Sequence, residues 1–336
     1  MLRTPLCDRL GMSHPIIQAP IGGAAVPELA AAVSEAGGLG MLALTGLDVE
    51  QVRERLETTR LLTARPFGVN LILRTEQRPQ LETCLEAGVK IVSYFWRLFE
   101  PGDPHVEEAH DAGALVMLTV GSADEARRAV DAGVDIIVAQ GVEAGGHVWG
   151  TVSTLPLVPA VVDAVSPVPV VAAGGIGDGR GLAAILALGA QAGWLGTRFL
   201  LAGESPVHPT HARLALEATE TGTACSTLYD VGWPDAPHRT LINSTYRAWI
   251  AASSPPTGQR AGEGETVGHL HDGRPIPRYF MGLPTTTRIA DGDVEVMALY
   301  SGQSVGLIHE RLPAAQIVRD LVAEAEGVLA SLAPTP

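Results

Sequence analysis

Hydrophobic and polar positions in this chain are arranged in blocks. Short apolar runs, rich in branched residues, recur at residues 15–20, 39–44, 67–73, 90–94, 114–120, 134–140, 169–173 and 191–195. Each is almost continuously hydrophobic, the pattern of a strand covered on both faces in a parallel sheet. Segments with helical periodicity lie between them, at 27–36, 49–58, 80–87, 105–112, 123–132, 157–165 and 180–188. Ser122 followed by Glu125 reads as a capping box. The pairs Ala36-Gly37, Ala87-Gly88, Ala112-Gly113 and Ala132-Gly133 end four helices alike, with glycine expected as the left-handed cap.

Eight strand-like runs alternating with helices predict a TIM (β/α)8 barrel. A doubly wound sheet is the alternative that the same alternation allows. Past residue 204 the rhythm breaks. Residues 205–284 are rich in Pro, Gly, Thr and His, with helix-like patches at 212–220 and 246–252. They are expected to form an inserted cap over the carboxyl-end face, where loops carry function. The barrel is then 1–204 and 285–336, closed by a helix at 314–332.

Charge and cysteine usage narrow the function classes. A formal net charge of −14 argues against nucleic-acid binding, so any bound anion must be held by local amides. Cys7, Cys84 and Cys225 show no paired spacing, which fits a reducing, cytoplasmic setting. The longest uncharged stretch, 181–197, is too short and too glycine-broken to span a bilayer, and residues 1–5 lack a signal-peptide core. Small-molecule substrates are expected, and oligomeric state is left open.

The chemistry concentrates at strand ends. The sixth run passes through Gln140 and Gly141 into Gly145, Gly146 and His147, so a glycine turn presents an imidazole at the carboxyl end of a central strand. Taken alone, that segment reads equally well as a polar loop with a solvated histidine. Gly174 and Gly175 follow the seventh run just before a helix, where free amides make an anion site. Gly196 and Thr197 follow the eighth. Two such loops after successive strands would converge on one phosphate. Ala19 and Pro20 end the first run, Asn70 interrupts an apolar third, Thr119 ends the fifth, and residues 300–306 form a second small-residue loop. A buried Asn70 needs a hydrogen-bond partner, from the core or from a heteroaromatic ring. His269 and His271, two apart in a glycine-rich loop, read as solvated rather than as a metal site.

Several segments resemble the nitronate monooxygenase family in order. They are Gln18-Ala19-Pro20-Ile21-Gly22-Gly23, residues 31–40, Pro66-Phe67-Gly68-Val69-Asn70, residues 140–147, Ala173-Gly174-Gly175-Ile176 and Gly196-Thr197-Arg198-Phe199, with Ser301-Gly302-Gln303 further on. The resemblance implies an FMN-dependent TIM barrel that oxidises alkyl nitronates, or nitroalkanes, with O2 to a carbonyl compound and nitrite. It implies that Ala19, Pro20, Asn70, Thr119, Gln140, Gly145 and Gly146 meet the flavin. Gly174, Gly175, Gly196 and Thr197 would hold its phosphate, with Ser301 and Gln303 nearby. His147 would bind the nitro group or take the α-proton, a role suited to a near-neutral pKa. Thr119 stands where some members have lysine, and residues 93–97 are unusually aromatic. The alternative within the superfamily is an NAD(P)H-dependent flavin reductase acting on a quinone or enoyl thioester.

Overall fold

Every one of the eight apolar runs becomes a strand. In the computed structural model, which describes residues 2–332, the strands in chain order are β1 (Ile16–Gln18), β2 (Gly40–Ala43), β3 (Phe67–Ile72), β4 (Ile91–Phe95), β5 (Leu115–Val120), β6 (Ile136–Gln140), β7 (Gly146–His147), β8 (Val170–Ala173) and β9 (Ala192–Leu195). All but β7 form one parallel sheet in the order β1-β9-β8-β6-β5-β4-β3-β2. A parallel bridge between Ile17 and Leu39 joins β1 to β2 and closes the ring. The barrel therefore stands, and the doubly wound alternative falls, because the strands follow one another without the order reversal a doubly wound sheet requires.

Alternation along the strands divides the core. Ile17, Met41, Met117, Ile136, Val138, Val171 and Ala192 fill the barrel. Leu42, Val69, Val92, Val116 and Ile137 belong to the cluster between sheet and helices. Each fully buried aliphatic side chain contributes about 1.5–3 kcal/mol. The amino-terminal mouth is plugged by the helix Pro5–Leu10, whose Leu6, Cys7 and Leu10 join the interior cluster. Six residues are too few to show a hydrophobic period, so this helix is silent in the sequence.

The expected helix ends hold: Gly37, Gly88, Gly113 and Gly133 all have positive φ. The capping box is only half made. Ser122 Oγ accepts from the Glu125 amide, but the Glu125 carboxylate accepts from Gly121 N and the Trp149 indole instead.

Beyond the ring come β10 (Thr223–Ser226), β11 (His238–Leu241), β12 (Thr266–Leu270), β13 (Pro275–Pro277) and β14 (Ile289–Gly292). They form two small antiparallel sheets, β10-β11-β7 and β13-β12-β14, beside the helices Pro209–Glu217 and Ser244–Ala251. The pairing of β11 with β7 sets His238 opposite His147 and ties this region to the loop after β6. The helix Ala314–Leu332 packs its Ile317 and Leu321 with Leu182 and Ile185 of the helix Gly179–Ala187. Among the described residues no helix is long and apolar enough to cross a membrane.

Candidate active site

A narrow cleft opens where the carboxyl ends of β1, β6, β8 and β9 meet. Ala19, Gln140, Gly145, Gly174, Gly175, Gly196 and Thr197 line it, together with Trp194, Gly302 and Ser304. The walls are close because they are backbone. A Cβ on Gly145 would lie 2.5 Å from Gly302 N, and one on Gly302 would lie 2.8 Å from Glu143 O. Gly174 and Gly175 adopt φ of 97° and 75°, which a side chain would strain. Among the described residues no turn or loop hydrogen bond within the chain engages the amides of Gly175 or Gly196. Thr197 Oγ1 accepts from Gly302 N at 2.8 Å, which leaves its proton free to donate. The floor is anchored by Glu143, whose carboxylate accepts from both the amide and the hydroxyl of Thr154.

The anion donors are not those of the helix terminus. At Gly179–Ala187 the Asp178 carboxylate accepts from Arg180 N and Gly181 N, and Glu324 accepts from Gly179 N. The available amides belong to the turn before that helix and to Gly196, which opens the short helix Thr197–Leu200.

Asn70, Thr119 and Gln140 share the inward face, each in phase with a barrel-filling position two residues earlier or with its register partner. Asn70 Nδ2 donates to the carbonyl and hydroxyl of Ser93, so its donor side is satisfied within the core. Gln140 clamps the loop after it. Its Nε2 donates to His147 O at 3.2 Å and its Oε1 accepts from Trp149 N at 2.9 Å.

His147 lies in a cluster of aromatic rings. Its imidazole stacks on Trp233 with centroids 3.9 Å apart, and Trp96, Tyr300 and His238 surround it at 5.6–5.7 Å. One edge of the residue remains partly exposed, yet Nε2 is buried without a partner. Burial, then the neighbouring His238 and Arg74, push its pKa down to about 3. The near-neutral pKa expected for this residue is thus not what the fold gives it, because two tryptophans, a tyrosine and a second histidine replace water around the ring. Trp96 holds φ of +72°, a costly conformation for a bulky residue, and packs on Trp149 and Trp233 at 5.1 and 4.8 Å.

The remaining sequence candidates lie at or beside this region. Gly146 pairs with Arg239 in the small sheet. Pro20 follows cleft-lining Ala19 and is half-buried. In the late loop the structure sets Gly302 and Ser304 on the cleft, the alternates of the expected Ser301 and Gln303. Ser301 Oγ turns instead to the buried His211, at 3.3 Å from Nε2, and Gln303 is exposed.

Sequence reasoning missed four residues here. His238 is buried, with Nδ1 donating to Ala236 O and Nε2 accepting from Tyr229 N, which fixes a neutral tautomer. Trp233 and Arg74 reach the histidine from distant segments, and Arg74 lies over the Trp233 ring with Cζ 5.1 Å from its centroid. No local motif announces any of these. Trp96, the fourth, had a signal in the aromatic density of residues 93–97.

Known proteins resemble this chain along nearly its full length. The family model described as nitronate monooxygenase matches residues 3–80 and 76–324. The chain is 32% identical to a nitronate monooxygenase of Pseudomonas aeruginosa, covering 95% of this chain and 98% of that protein. It is also 32% identical to a (3aS,4S,5R,7aS)-5-hydroxy-7a-methyl-1-oxo-octahydro-1H-indene-4-carboxyl-CoA dehydrogenase of Mycobacterium tuberculosis, covering 96% of each. The solved structure of FabK from Thermotoga maritima superposes with a TM-score of 0.83 at 33% identity over 99% of both chains. The similarity in sequence and fold thus extends over nearly the whole chain. The chain belongs to the nitronate monooxygenase family and is an oxidoreductase.

Proposed function

We propose that this protein binds FMN in the glycine cleft and oxidises alkyl nitronates with O2 to a carbonyl compound and nitrite. The observation that carries the reading is the pairing of an amide-lined cleft with a buried, unpartnered imidazole nitrogen on the adjoining turn. The residues fit the cofactor. Only glycines can form walls this close, and the amides of Gly175 and Gly196 with the Thr197 hydroxyl suit a single phosphate. Bound flavin would supply the two-electron chemistry that links the nitronate to oxygen.

The chain's own part is to bind, orient and exclude water. Ala19, Gly145 and Gln140, with the inward Asn70 and Thr119, form the surface offered to the flavin ring, and Pro20, Gly146, Ser301 and Gln303 shape its margins. His147, neutral at pH 7, acts as a hydrogen-bonding partner for the nitro group through Nε2. An imidazole with a pKa near 3 is a poor base for a carbon acid, so the nitronate anion, already deprotonated, is preferred over the neutral nitroalkane.

Replacing His147 with alanine is expected to leave flavin retention unchanged and to lower kcat/KM for nitronates by about 100-fold, the usual loss for one such donor. Equal activity in the variant would remove the histidine from the reaction. The similarity to a CoA-thioester dehydrogenase favours one second reading, a nicotinamide-dependent flavin reductase. Anaerobic mixing with NADH and NADPH separates the two: rapid flavin bleaching would establish the reductase, and an unchanged spectrum the nitronate oxidation.

A further inference from the structure

Among the described residues the Arg74 guanidinium engages a carbonyl and an indole rather than a carboxylate, in a chain whose net charge is −14. The residue is exposed on the loop after β3, and its guanidinium does two things there. It donates to Gly232 O, and it lies over the indole of Trp233 with Cζ 5.1 Å from the ring centroid. The same indole, only 6% exposed, stacks on the His147 imidazole at 3.9 Å and 25°. A single side chain therefore separates the histidine that the proposed reaction needs from the Arg74 guanidinium. Nothing reaches His147 Nε2 from this side while Trp233 stays in place, because that atom is buried.

Trp233 is carried on a short segment between two residues of left-handed backbone, its amide donating to Asp230 O. Gly232 and Asp235 flank it in left-handed conformations, with φ of 97° and 56°. Val231, just before it, is anchored by paired bonds to Tyr279 and Met281. The indole itself is held by aromatic contacts with His147 and Trp96 and by the cation above it. Such contacts are worth about 0.5–2 kcal/mol each, little enough for a ligand to replace.

We propose that Arg74 receives the anionic end of the substrate and that Trp233 is a plug the substrate displaces, so that imidazole and guanidinium come to face a common planar anion. This assigns a substrate-binding role to a residue on the β3 loop and names the substrate class as small planar monoanions. It rests on the nitronate reading only for the identity of that anion. The net acidic charge repels anions generally, so the Arg74 guanidinium beside Trp233 supplies local attraction. A planar fork of donors suits a nitronate or a carboxylate, whose two oxygens lie in one plane.

The test uses propionate, a planar anion inert to oxidation, and its neutral isostere propionamide, with binding read from tryptophan emission and from the flavin absorption band. The wild-type protein is expected to bind propionate at least about tenfold more tightly than propionamide, with an emission shift as Trp233 leaves the imidazole. Arg74→Gln should abolish that preference while FMN affinity is unchanged, and Arg74→Lys should restore part of it. Trp233→Ala should speed propionate association and remove the emission shift. A wild-type protein indifferent to charge, or an Arg74→Gln variant with the wild-type preference, overturns the proposal. Failure of the nitronate reading shows separately: a protein that turns over no nitronate but keeps the Arg74-dependent preference for propionate retains the anion site and loses only the reaction.

Discussion

The two sides of the site are built by different means. On the cleft side the chain presents backbone: Gly145 against Gly302, Gly174 against Gly141, and free amides between. On the histidine side it presents side chains: Trp96, Trp233, Tyr300 and His238 surround one imidazole, and Trp149 packs against Trp96. A backbone wall cannot be repacked, since any added atom meets a peptide group. A wall of rings can open, because each ring turns about its own side-chain bonds. The first arrangement suits a cofactor that stays, and the second suits a ligand that comes and goes.

The largest expected effect tests the rigid side. In Gly145→Val the first added carbon would lie 2.5 Å from Gly302 N and 2.6 Å from Ser301 C. Overpacking of this kind costs about 1–3 kcal/mol where neighbours yield, and here the neighbours are backbone. The purified variant should be colourless, with the ratio of flavin to protein absorbance near zero and no uptake of added FMN, while circular dichroism stays barrel-like. Trp233→Ala, a larger change in volume, should keep the full flavin complement. Were the two variants to retain flavin equally, the contrast between the walls would be lost.

A middling effect concerns what holds the cleft floor. Glu143 accepts from Thr154 N and Thr154 Oγ1, joining the glycine turn to the helix Thr154–Val165. Glu143→Ala leaves those two donors without their carboxylate, at a cost of about 1–3 kcal/mol. A fall in melting temperature and a several-fold weaker hold on FMN are expected, with Glu143→Gln milder on both because one acceptor survives. A variant that melts as the wild type does would show the floor to be held by packing alone.

How much of this could be read in advance follows the same division. The glycine loops were legible because a local sequence determines a local turn, and Gly174-Gly175 after an apolar run announces its own conformation. The barrel was legible for a related reason: eight buried strands each carry a continuous hydrophobic signature. The aromatic side was not. Arg74 and Gly232 are 158 residues apart, and nothing local to either predicts that they meet. His238 faces His147 only because β11 pairs with β7, a two-residue strand too short to have a period. Glu125 was expected to close a capping box, and the nearby Trp149 indole drew its carboxylate away, a contact made 24 residues along the chain. The same holds for the late loop, where Gly302 and Ser304 rather than Ser301 and Gln303 meet the cleft because His211 captures the Ser301 hydroxyl.

The smallest effect is a flat line, and it separates two histidines with the same depressed pKa. Burial pushes both His147 and His211 down to about 3, against about 6.5 in an unfolded chain. Above pH 6.5 neither state binds the proton, and the stability these imidazoles allow is fully present. As pH falls from 6.5 towards 3, the unfolded chain takes up protons that the folded one refuses, so stability declines across that window. Activity should behave differently. His147 stays neutral from pH 5 to 8, so kcat/KM for a nitronate should show no acid limb belonging to it. His211 is fully buried and has no ring contact with Trp233, so it keeps its depressed pKa in Trp233→Ala. His147 owes its burial to rings, Trp233 first among them, so Trp233→Ala should readmit water and raise its pKa towards the ordinary value. An acid limb should then emerge in the variant's kcat/KM profile between pH 5 and 7. A profile still flat in Trp233→Ala would mean that the imidazole is desolvated by the fold itself, and that both sides of the site are equally fixed.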